Sequence, residues 1–290
     1  MNLLSDVYLV MEIDAKTLLC ATIGNPNRAS RSPVMHNAGL KFLDIPYVFL
    51  SFEPDEKDLE GVFAGMRALG IKFFSVTKPF KQAVMPFLDA IDPTAKTIGA
   101  VNTVLNEDGK LTGYNSDWIG AADAIEEVAP LAGKKVLLIG SGGAARAAAY
   151  ACKERGAEVF VYNRTKEKAA ALAREFKLAG FGGMDELIKE RNWHIIINTT
   201  SVGMKGAGAE ETSPVPDELL GQAAPGNPGI ILDAVIFPRE TVLLKKAKDI
   251  GLTCIPGARM MLLQSLFQFR LYTGKEPPRD IMWEALLKVL

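Results

Sequence analysis

The first part of the chain alternates short apolar runs with amphipathic segments. Three apolar runs are rich in β-branched and aromatic residues and have the length of buried strands: residues 18–23, 46–52 and 72–77. Between the last two, residues 55–69 place their apolar side chains on one face at helical spacing. Further along, the pair Asp108-Gly109 predicts a tight turn that joins two strands. The pattern predicts a small α/β sheet in this part of the chain.

From about residue 119 onward, the apolar runs are continuous rather than alternating, and helical segments separate them. The predicted strands are residues 136–140, 158–162, 193–198, 230–235 and 253–255. Continuous apolar strands are typical of a parallel sheet whose faces are both covered by helices. The tail contains two amphipathic helical segments, residues 258–272 and 280–290, separated by Gly274 and a pair of prolines. The chain is therefore expected to be an α/β protein with two sheets.

One junction in the second half carries a more specific signal. The strand that starts at Lys135 runs into a glycine-rich loop and then into an alanine-rich helix. The loop consists of Gly140, Ser141, Gly142, Gly143 and Ala144. Glycines let the backbone turn tightly and approach a pyrophosphate, and the following helix N-terminus presents N–H groups to the anion. This order of strand, glycines and helix predicts a doubly wound, Rossmann-type dinucleotide-binding domain.

The next predicted strand indicates which dinucleotide binds. It ends at Asn163, Arg164 and Thr165, at the distance from the glycines where an NAD-binding enzyme carries an acid for the ribose 2′-hydroxyl. This segment instead offers a guanidinium, a hydroxyl and the ammonium of Lys168. Such a set attracts a 2′-phosphate, which an arginine holds with two hydrogen bonds. The segment predicts NADP; the alternative is a solvated helix start with Thr165 as an ordinary N-cap.

Composition narrows the classes of function. The 290 residues carry a formal net charge of −1, so the chain has no basic footprint for nucleic acid or for an anionic membrane surface. No apolar run approaches the roughly 18 residues of a membrane span, and the N-terminus lacks the basic segment of a signal peptide. Three scattered cysteines and two histidines favour reduced thiols over a disulfide framework or a metal site. We expect a cytoplasmic protein that binds neither nucleic acid, membrane nor metal.

Four polar residues in the first half are candidates for binding or chemistry. Ser30 and Ser32 precede a proline that suits the first turn of a helix, so these serines either cap that helix or hold a carboxylate. Pro79 marks another predicted helix start and places Lys81 in its first turn, where the macrodipole disfavours an ammonium. A lysine placed against the dipole suits proton transfer. Asp117 precedes the next helix, either as its N-cap or as a carboxylate facing a cleft.

Together these segments resemble the shikimate dehydrogenase family over nearly the whole chain, from about Cys20 to Tyr272. The matching motifs occur in the family's order, which makes the resemblance specific. They are Gly24-Asn-Pro26, Ser30-Arg-Ser-Pro-Val-Met-His-Asn37, Val76-Thr-Lys-Pro-Phe-Lys81, Gly99-Ala-Val-Asn-Thr103, Gly113-Tyr-Asn-Ser-Asp117, Gly140-Ser-Gly-Gly-Ala144, Asn163-Arg-Thr165, Asn198-Thr-Thr-Ser-Val-Gly-Met204 and Gly257-Ala-Arg-Met-Met-Leu-Leu-Gln264.

The resemblance implies NADPH-dependent reduction of 3-dehydroshikimate to shikimate, in the biosynthesis of chorismate and the aromatic amino acids. It implies that Lys81 passes a proton to the C3 oxygen, while Asp117 holds Lys81 charged and orients the substrate. Ser30 and Ser32 are expected to bind the substrate carboxylate. The ring hydroxyls are assigned to Thr77, Asn102 and Gln264. Further cofactor contacts are assigned to Thr199, Ala234 and Gly257.

Position 236 departs from the family pattern. Members usually carry tyrosine in the motif Asp-x-x-Tyr-x-Pro, whereas this chain has Ile236 at that place near the substrate. Isoleucine cannot hydrogen-bond the substrate carboxylate, and losing such a bond costs about 1–3 kcal/mol. This departure leaves open a related dehydrogenase for quinate, an aminoshikimate or another cyclohexene carboxylate. A non-catalytic ligand sensor is the alternative of a different class. Ser32, where threonine would favour quinate, and the NADP-type segment at 163–165 favour shikimate.

The two halves of the chain are expected to divide the work. Residues 1–118 together with 257–290 form the predicted substrate-binding and catalytic domain, and residues 119–256 form the predicted NADP domain. We expect a cleft between two sheets, with Lys81 beside Asp117. The expected partner is a small-molecule substrate, and the protein is expected to be a monomer or a homodimer.

Overall fold

A computed structural model describes residues 13–184, 186, 192–222 and 229–290, and it separates into two compact units. One unit contains the described residues up to Ile91 together with Asn102–Tyr114 and Gln268–Val289. The other contains Asp92–Val101 and the described part of Asn115–Phe267. We call them the mixed-sheet unit and the parallel-sheet unit, after the strand directions described below.

The elements follow in chain order, strands first and helices second. The strands are β1 (Leu18–Ile23), β2 (Tyr47–Phe52), β3 (Phe73–Val76), β4 (Ala90–Ile91), β5 (Thr103–Glu107), β6 (Lys110–Tyr114), β7 (Lys135–Ile139), β8 (Glu158–Tyr162), β9 (Gly180–Gly182), β10 (Ile195–Asn198), β11 (Ile230–Asp233) and β12 (Thr253–Pro256). The helices are α1 (Ser32–Phe42), α2 (Leu59–Ala68), α3 (Pro93–Ile98), α4 (Asp117–Glu126), α5 (Gly143–Glu154), α6 (Lys166–Phe176), α7 (Asp217–Gln222), α8 (Val242–Asp249), α9 (Gly257–Thr273) and α10 (Arg279–Leu287).

The mixed-sheet unit is built on six strands in the order β2-β1-β3-β5-β6-β4. β1 runs parallel to β2 and β3, whereas β5 runs antiparallel to β3 and β6. The turn between β5 and β6 has positive φ at both central residues, 53° at Asp108 and 88° at Gly109. Positive φ at both positions is the geometry of a type I′ turn, which Asp-Gly favours. The predicted hairpin is therefore confirmed.

The parallel-sheet unit has six strands in the order β12-β11-β10-β7-β8-β9, all of them parallel. The order changes direction at β7, whose carboxyl end carries the glycine-rich loop. Side chains on both faces of the central strands are buried, as in β10, where Ile195, Ile196 and Ile197 are all inaccessible to solvent. The strands are parallel and are buried on both faces, as expected where helices cover a sheet on both sides. The predicted doubly wound α/β sheet is therefore confirmed. β9 and the short β4 were not predicted.

One helix prediction is wrong. Pro79 does not begin a helix: residues 78–84 form successive turns, followed by a 3₁₀ helix at Met85–Phe87. Phe80 N–H donates to the Thr77 carbonyl and Met85 N–H to the Gln82 carbonyl, which is the spacing of turns. Pro86 has no N–H, so it cannot continue an α-helical ladder from this point. Lys81 therefore lies in a turn, and the helix macrodipole does not act on it.

Within the described part of the chain, we find no helix with the length and apolar character needed to cross a membrane.

Candidate active site

The glycine-rich loop packs closely against the ends of neighbouring strands. Gly140 has a φ of 118° and donates its N–H to the carbonyl of Tyr162 at the end of β8, at 2.8 Å. A Cβ atom at Gly140 would lie 2.4 Å from the Thr199 Oγ1 atom, which follows β10. Only glycine tolerates this backbone angle and this close approach. α5 begins immediately afterwards, and its buried Ala145 lets the helix pack on the sheet.

A cleft of about 450 Å³ opens at these strand ends. Its lining comes from the ends of β7 and β8 and from the segments that follow β7, β8 and β10, together with Pro214. The predicted cofactor residues that line it are Gly140, Ser141, Gly142, Asn163, Arg164, Thr165, Lys168 and Thr199. The remaining lining residues are Ile139, Tyr162, Thr200, Ser201, Val202 and Pro214. The carboxyl ends of parallel strands beside a topological switch point are where doubly wound sheets bind ligands.

The charged groups in this cleft are basic. Arg164 and Lys168 are exposed on its wall, and in the described part of the chain no lining residue is acidic. Thr165 is the N-cap residue of α6, but its hydroxyl makes no capping hydrogen bond. The Asn163 side chain donates to the Thr165 carbonyl at 3.0 Å and holds the turn. The basic groups fit a phosphate on a ribose, and the described lining offers no carboxylate for a 2′-hydroxyl.

Gly143, Ala144, Ala234 and Gly257 are not part of this lining. Gly143 and Ala144 form the first turn of α5. A Cβ atom at Gly257 would lie 2.4 Å from the Val235 carbonyl oxygen and 2.7 Å from Ala234, so these predicted residues pack against one another. Their assignment to the cofactor stays a prediction.

A buried carboxylate links the ends of β10 and β11, and sequence reasoning missed it. Asp233 is fully buried and accepts hydrogen bonds from the Asn198 amide at 2.9 Å and the Thr241 hydroxyl at 2.6 Å. The Asn198 Oδ1 atom accepts in turn from the backbone and hydroxyl of Thr200, which lines the cleft. Burial raises the pKa of Asp233, although these hydrogen bonds oppose the shift. Two signals were available, a carboxylate at a strand end and the aspartate of the motif Asp-x-x-Tyr-x-Pro, but neither indicates its partners.

Asp117 and Gln264 belong to the parallel-sheet unit and lie on helices that pack together. Asp117 is the first residue of α4, with 3% exposure, and its N–H donates to the Asn115 Oδ1 atom at 3.0 Å. Ser116 is the N-cap residue, so the interpretation of Asp117 as the N-cap is wrong. A Cβ atom at Gly120 would lie 3.0 Å from the Gln264 Cβ atom, so Gly120 permits the close approach of α4 and α9.

In the mixed-sheet unit, the predicted substrate residues follow the carboxyl ends of β1 and β3. Thr77 N–H donates to the Ile23 carbonyl at 2.9 Å, which joins the two strand ends. A Cβ atom at Gly24 would lie 2.3 Å from the Thr77 Cγ2 atom, so glycine lets these loops meet. The carbonyl of Asn102, just before antiparallel β5, accepts from Val76 N–H at the same edge, at 2.8 Å. Thr77 and Asn102 are thus brought to one edge of the sheet.

Ser30 and Ser32 lie at the entrance to α1. Ser32 is the first helical residue, Arg31 is the N-cap residue, and no side chain makes a capping hydrogen bond. The interpretation of Ser32 as a side-chain N-cap is therefore wrong, because the helix starts one residue earlier than expected. Ser32 N–H donates to the Ser30 Oγ atom at 3.4 Å, so the two serines are adjacent. Both are half-buried, an arrangement that suits anion binding.

Ile236 follows β11 and is half-buried. Its segment is held at Val235, whose N–H donates to the Asp233 carboxylate at 3.1 Å. The side chain at 236 is apolar, so the departure noted in the sequence removes a hydrogen-bonding group from this segment.

Comparisons with known proteins agree with this architecture. Three family models match: "Shikimate dehydrogenase substrate binding domain" over residues 22–104, "Shikimate / quinate 5-dehydrogenase" over residues 122–207, and "Shikimate 5'-dehydrogenase C-terminal domain" over residues 257–287. A shikimate dehydrogenase (NADP⁺) of Aquifex aeolicus (strain VF5) is 40% identical, over 93% of this chain and 96% of that protein.

Solved structures give the same result. The shikimate 5-dehydrogenase of Thermus thermophilus, in complex with NADP(H) and shikimate, is 37% identical with a TM-score of 0.84, covering 94% of this chain and 100% of that chain. The quinate dehydrogenase of Corynebacterium glutamicum, in complex with NAD, is 29% identical with a TM-score of 0.82, covering 94% of this chain and 99% of that chain.

Proposed function

The chain belongs to the shikimate dehydrogenase family, and from that premise we propose that it catalyses the reversible, NADPH-dependent reduction of 3-dehydroshikimate to shikimate. One observation carries the cofactor choice: Arg164 and Lys168 stand on the wall of the glycine-loop cleft, which has no acidic lining residue in the described chain. A 2′-phosphate is attracted there, and the glycine-rich loop that lines the same cleft suits a pyrophosphate.

Lys81 and Asp117 are proposed as the acid–base pair. NADPH, when bound, supplies the hydride that reduces the substrate ketone. Lys81 lies in a turn after β3 and is half-buried, and we assign it as the proton donor to the C3 oxygen. Asp117 is buried at the start of α4, and we assign it the role of orienting Lys81 and the substrate hydroxyl.

The substrate contacts are proposed from two places in the mixed-sheet unit, the entrance to α1 and the sheet edge after β3, and from Gln264 on α9. Ser30 and Ser32 bind the carboxylate, since the Ser30 hydroxyl lies beside the Ser32 backbone at the entrance to α1. Thr77 and Asn102 lie at one sheet edge and contact ring hydroxyls together with Gln264. Ala234 and Gly257, packed together beyond β11, support the cofactor outside the main cleft.

The direct test follows NADPH absorbance with purified protein. We expect NADP reduction with shikimate, and a much higher kcat/KM with NADP than with NAD. A protein that binds 3-dehydroshikimate tightly but never oxidises NADPH would contradict the enzymatic proposal and favour a ligand sensor.

A second candidate is a dehydrogenase for quinate or a related cyclohexene carboxylate such as an aminoshikimate. It is favoured by Ile236, which has no hydroxyl for the substrate carboxylate, and by the similarity to a quinate dehydrogenase. Comparing kcat/KM for shikimate and quinate decides between the candidates. A higher value with quinate would reject shikimate as the main substrate.

We further propose a cytoplasmic protein that is a monomer or a homodimer. Cys20, Cys152 and Cys254 are free, as expected for thiols in a reducing compartment. We propose that residues 1–118 and 257–290 form the substrate-binding domain and that residues 119–256 form the NADP-binding domain. Light scattering after size-exclusion chromatography measures the oligomeric state, and a mass above that of two chains would contradict the proposal.

A further inference from the structure

A row of buried polar side chains lies behind Asn102 in the mixed-sheet unit. The Thr103 hydroxyl is 2.7 Å from the Asn102 Oδ1 atom. The Gln268 Nε2 atom, from the last turns of α9, is 2.9 Å from the Thr103 Oγ1 atom. Thr103 is fully buried, and Asn102 and Gln268 are each 2% exposed. Each of these polar atoms therefore needs a partner of the correct polarity inside the protein.

The backbone sets the polarity of the whole row. Gln268 Nε2 also faces the Asn102 backbone carbonyl at 3.4 Å and the Ser75 hydroxyl at 3.5 Å. A carbonyl oxygen only accepts, so the edge of Gln268 that faces it is the NH₂ group. Gln268 thus donates to Thr103 Oγ1, and the Thr103 proton remains to be donated to the Asn102 Oδ1 atom. This fixes which end of the Asn102 amide is oxygen.

The far side of Gln268 rests against a neutral ring. His36 Nδ1 is 3.0 Å from the Tyr272 hydroxyl. Complete burial lowers the pKa of His36 to about 3, an effect that the Gln268 side chain opposes without cancelling. His36 is stacked on Phe49, with ring centroids 4.3 Å apart.

We propose that Thr103 and Gln268 are positioning residues that lock the Asn102 amide with its NH₂ edge towards the substrate. The inference rests on the proposed function, in which Asn102 binds a ring hydroxyl. It adds a polarity: the ligand atom at Asn102 is a hydrogen-bond acceptor, as the oxygen of a hydroxyl is. Without the Thr103 proton, the Asn102 amide loses the donor that identifies its oxygen end, and the two ends of an amide have nearly the same shape.

The test uses a series of variants on the same strand. Thr103→Val keeps the shape but removes the donor, and kcat/KM for shikimate is expected to fall about 10- to 100-fold, as for a lost hydrogen bond at a buried amide. Thr103→Ser restores the hydroxyl and should retain near-normal kcat/KM. Gln268→Leu should also lower kcat/KM for shikimate, as Thr103→Val does. In all three variants the Kd for NADPH should be unchanged.

Asn106→Ala is the matched structural control. Asn106 lies on the same strand β5, is 5% exposed, and donates to the carbonyls of Met66 and Ile71. Its substitution should lower the melting temperature at least as much as Thr103→Val while leaving KM for shikimate unchanged. A fall in kcat/KM that simply followed melting temperature across the series would overturn the positioning role.

Two further measurements separate this inference from the proposed function. The first measurement uses shikimate analogues that each lack one ring hydroxyl. For the analogue without the hydroxyl that Asn102 binds, wild type and Thr103→Val should have the same kcat/KM. For the other analogues, Thr103→Val should still be slower than wild type. In ligand-free protein with ¹⁵N-labelled asparagine, the Asn102 side-chain resonances should shift in Thr103→Val but not in Thr103→Ser. Unchanged resonances would overturn the positioning role even if shikimate turned out not to be the substrate. Loss of turnover with shifted resonances would leave the positioning role standing.

Discussion

The two units hold their functional residues in different ways. In the parallel-sheet unit, the cleft lies at the ends of β7, β8 and β10, and its charged lining residues, Arg164 and Lys168, are exposed. In the mixed-sheet unit, Asn102 is backed by buried side chains that come from distant parts of the chain, such as Gln268. The first unit recognises its ligand through loop geometry and charge, and the second through a network of directed hydrogen bonds.

This difference predicts two classes of defect. Substitutions on the cleft wall of the parallel-sheet unit should change cofactor affinity with little effect on stability. Substitutions in the mixed-sheet unit should change turnover or stability and leave cofactor binding intact. The variants below test this division, from the largest expected effect to the smallest.

Lys81→Ala separates chemistry from cofactor binding most sharply. Removing a positioned proton donor typically costs about 10²- to 10⁴-fold in rate, so kcat should fall by that factor. NADPH titration by fluorescence should give an unchanged Kd, because Lys81 is outside the cofactor cleft. Lys78→Ala, an exposed lysine of the same turn, is the control and should keep nearly normal turnover. Near-normal kcat in Lys81→Ala would reject Lys81 as the donor.

Arg164→Ala tests the charge on the cleft wall. Losing a bidentate contact to a phosphate should raise KM for NADPH about 10- to 100-fold. KM for NADH should change little, since NADH has no 2′-phosphate. Lys166→Ala is the matched control, because Lys166 pairs with Glu186 and does not line the cleft. Equal effects of Arg164→Ala on both cofactors would show that the guanidinium does not read the 2′-phosphate.

Thr241→Val asks whether the parallel-sheet unit also depends on a buried polar link. The Thr241 hydroxyl donates to the buried Asp233 carboxylate at 2.6 Å and accepts from Leu244 N–H at the start of α8. Its removal should lower the free energy of unfolding by about 1–3 kcal/mol, measured by urea denaturation. Thr212→Val, at an exposed hydroxyl, should stay within about 0.5 kcal/mol of wild type. An equally small change in the free energy of unfolding for Thr241→Val would show that the parallel-sheet unit does not depend on this buried hydrogen bond.

Asp89→Asn gives a smaller, pH-dependent effect in the mixed-sheet unit. The Leu111 N–H at 2.7 Å, assisted by Arg67, lowers the pKa of Asp89. A carboxyl with a lowered folded-state pKa stabilises the fold above its ordinary pKa of 3.8, and this contribution is lost as pH falls through the lowered value. The melting-temperature difference between wild type and Asp89→Asn should therefore shrink on acidification from about pH 7 towards about pH 3. A constant difference across that range would contradict the assignment.

Local patterns predicted the parallel sheet, the Asp108-Gly109 turn and the glycine loop, because each depends on consecutive residues. They also identified Arg164 and Lys168, which follow one strand directly. The same reasoning was wrong for the segment after Pro79, where proline was taken as a helix start although residues 78–84 form successive turns. A single proline signal is compatible with both a helix and a turn.

The sequence by itself determined the two α/β sheets, the dinucleotide fingerprint and the family motifs, since these are encoded in periodicity and in short runs of neighbouring residues. Only the tertiary structure decided that Gln268 meets Thr103, 165 residues away, and that Asp233 joins Asn198 and Thr241. Such hydrogen bonds depend on strand order and on helix packing, which bring together groups that no local pattern relates. For this reason the residues behind the site emerged from the fold, whereas the residues of the cofactor cleft were already apparent in the sequence.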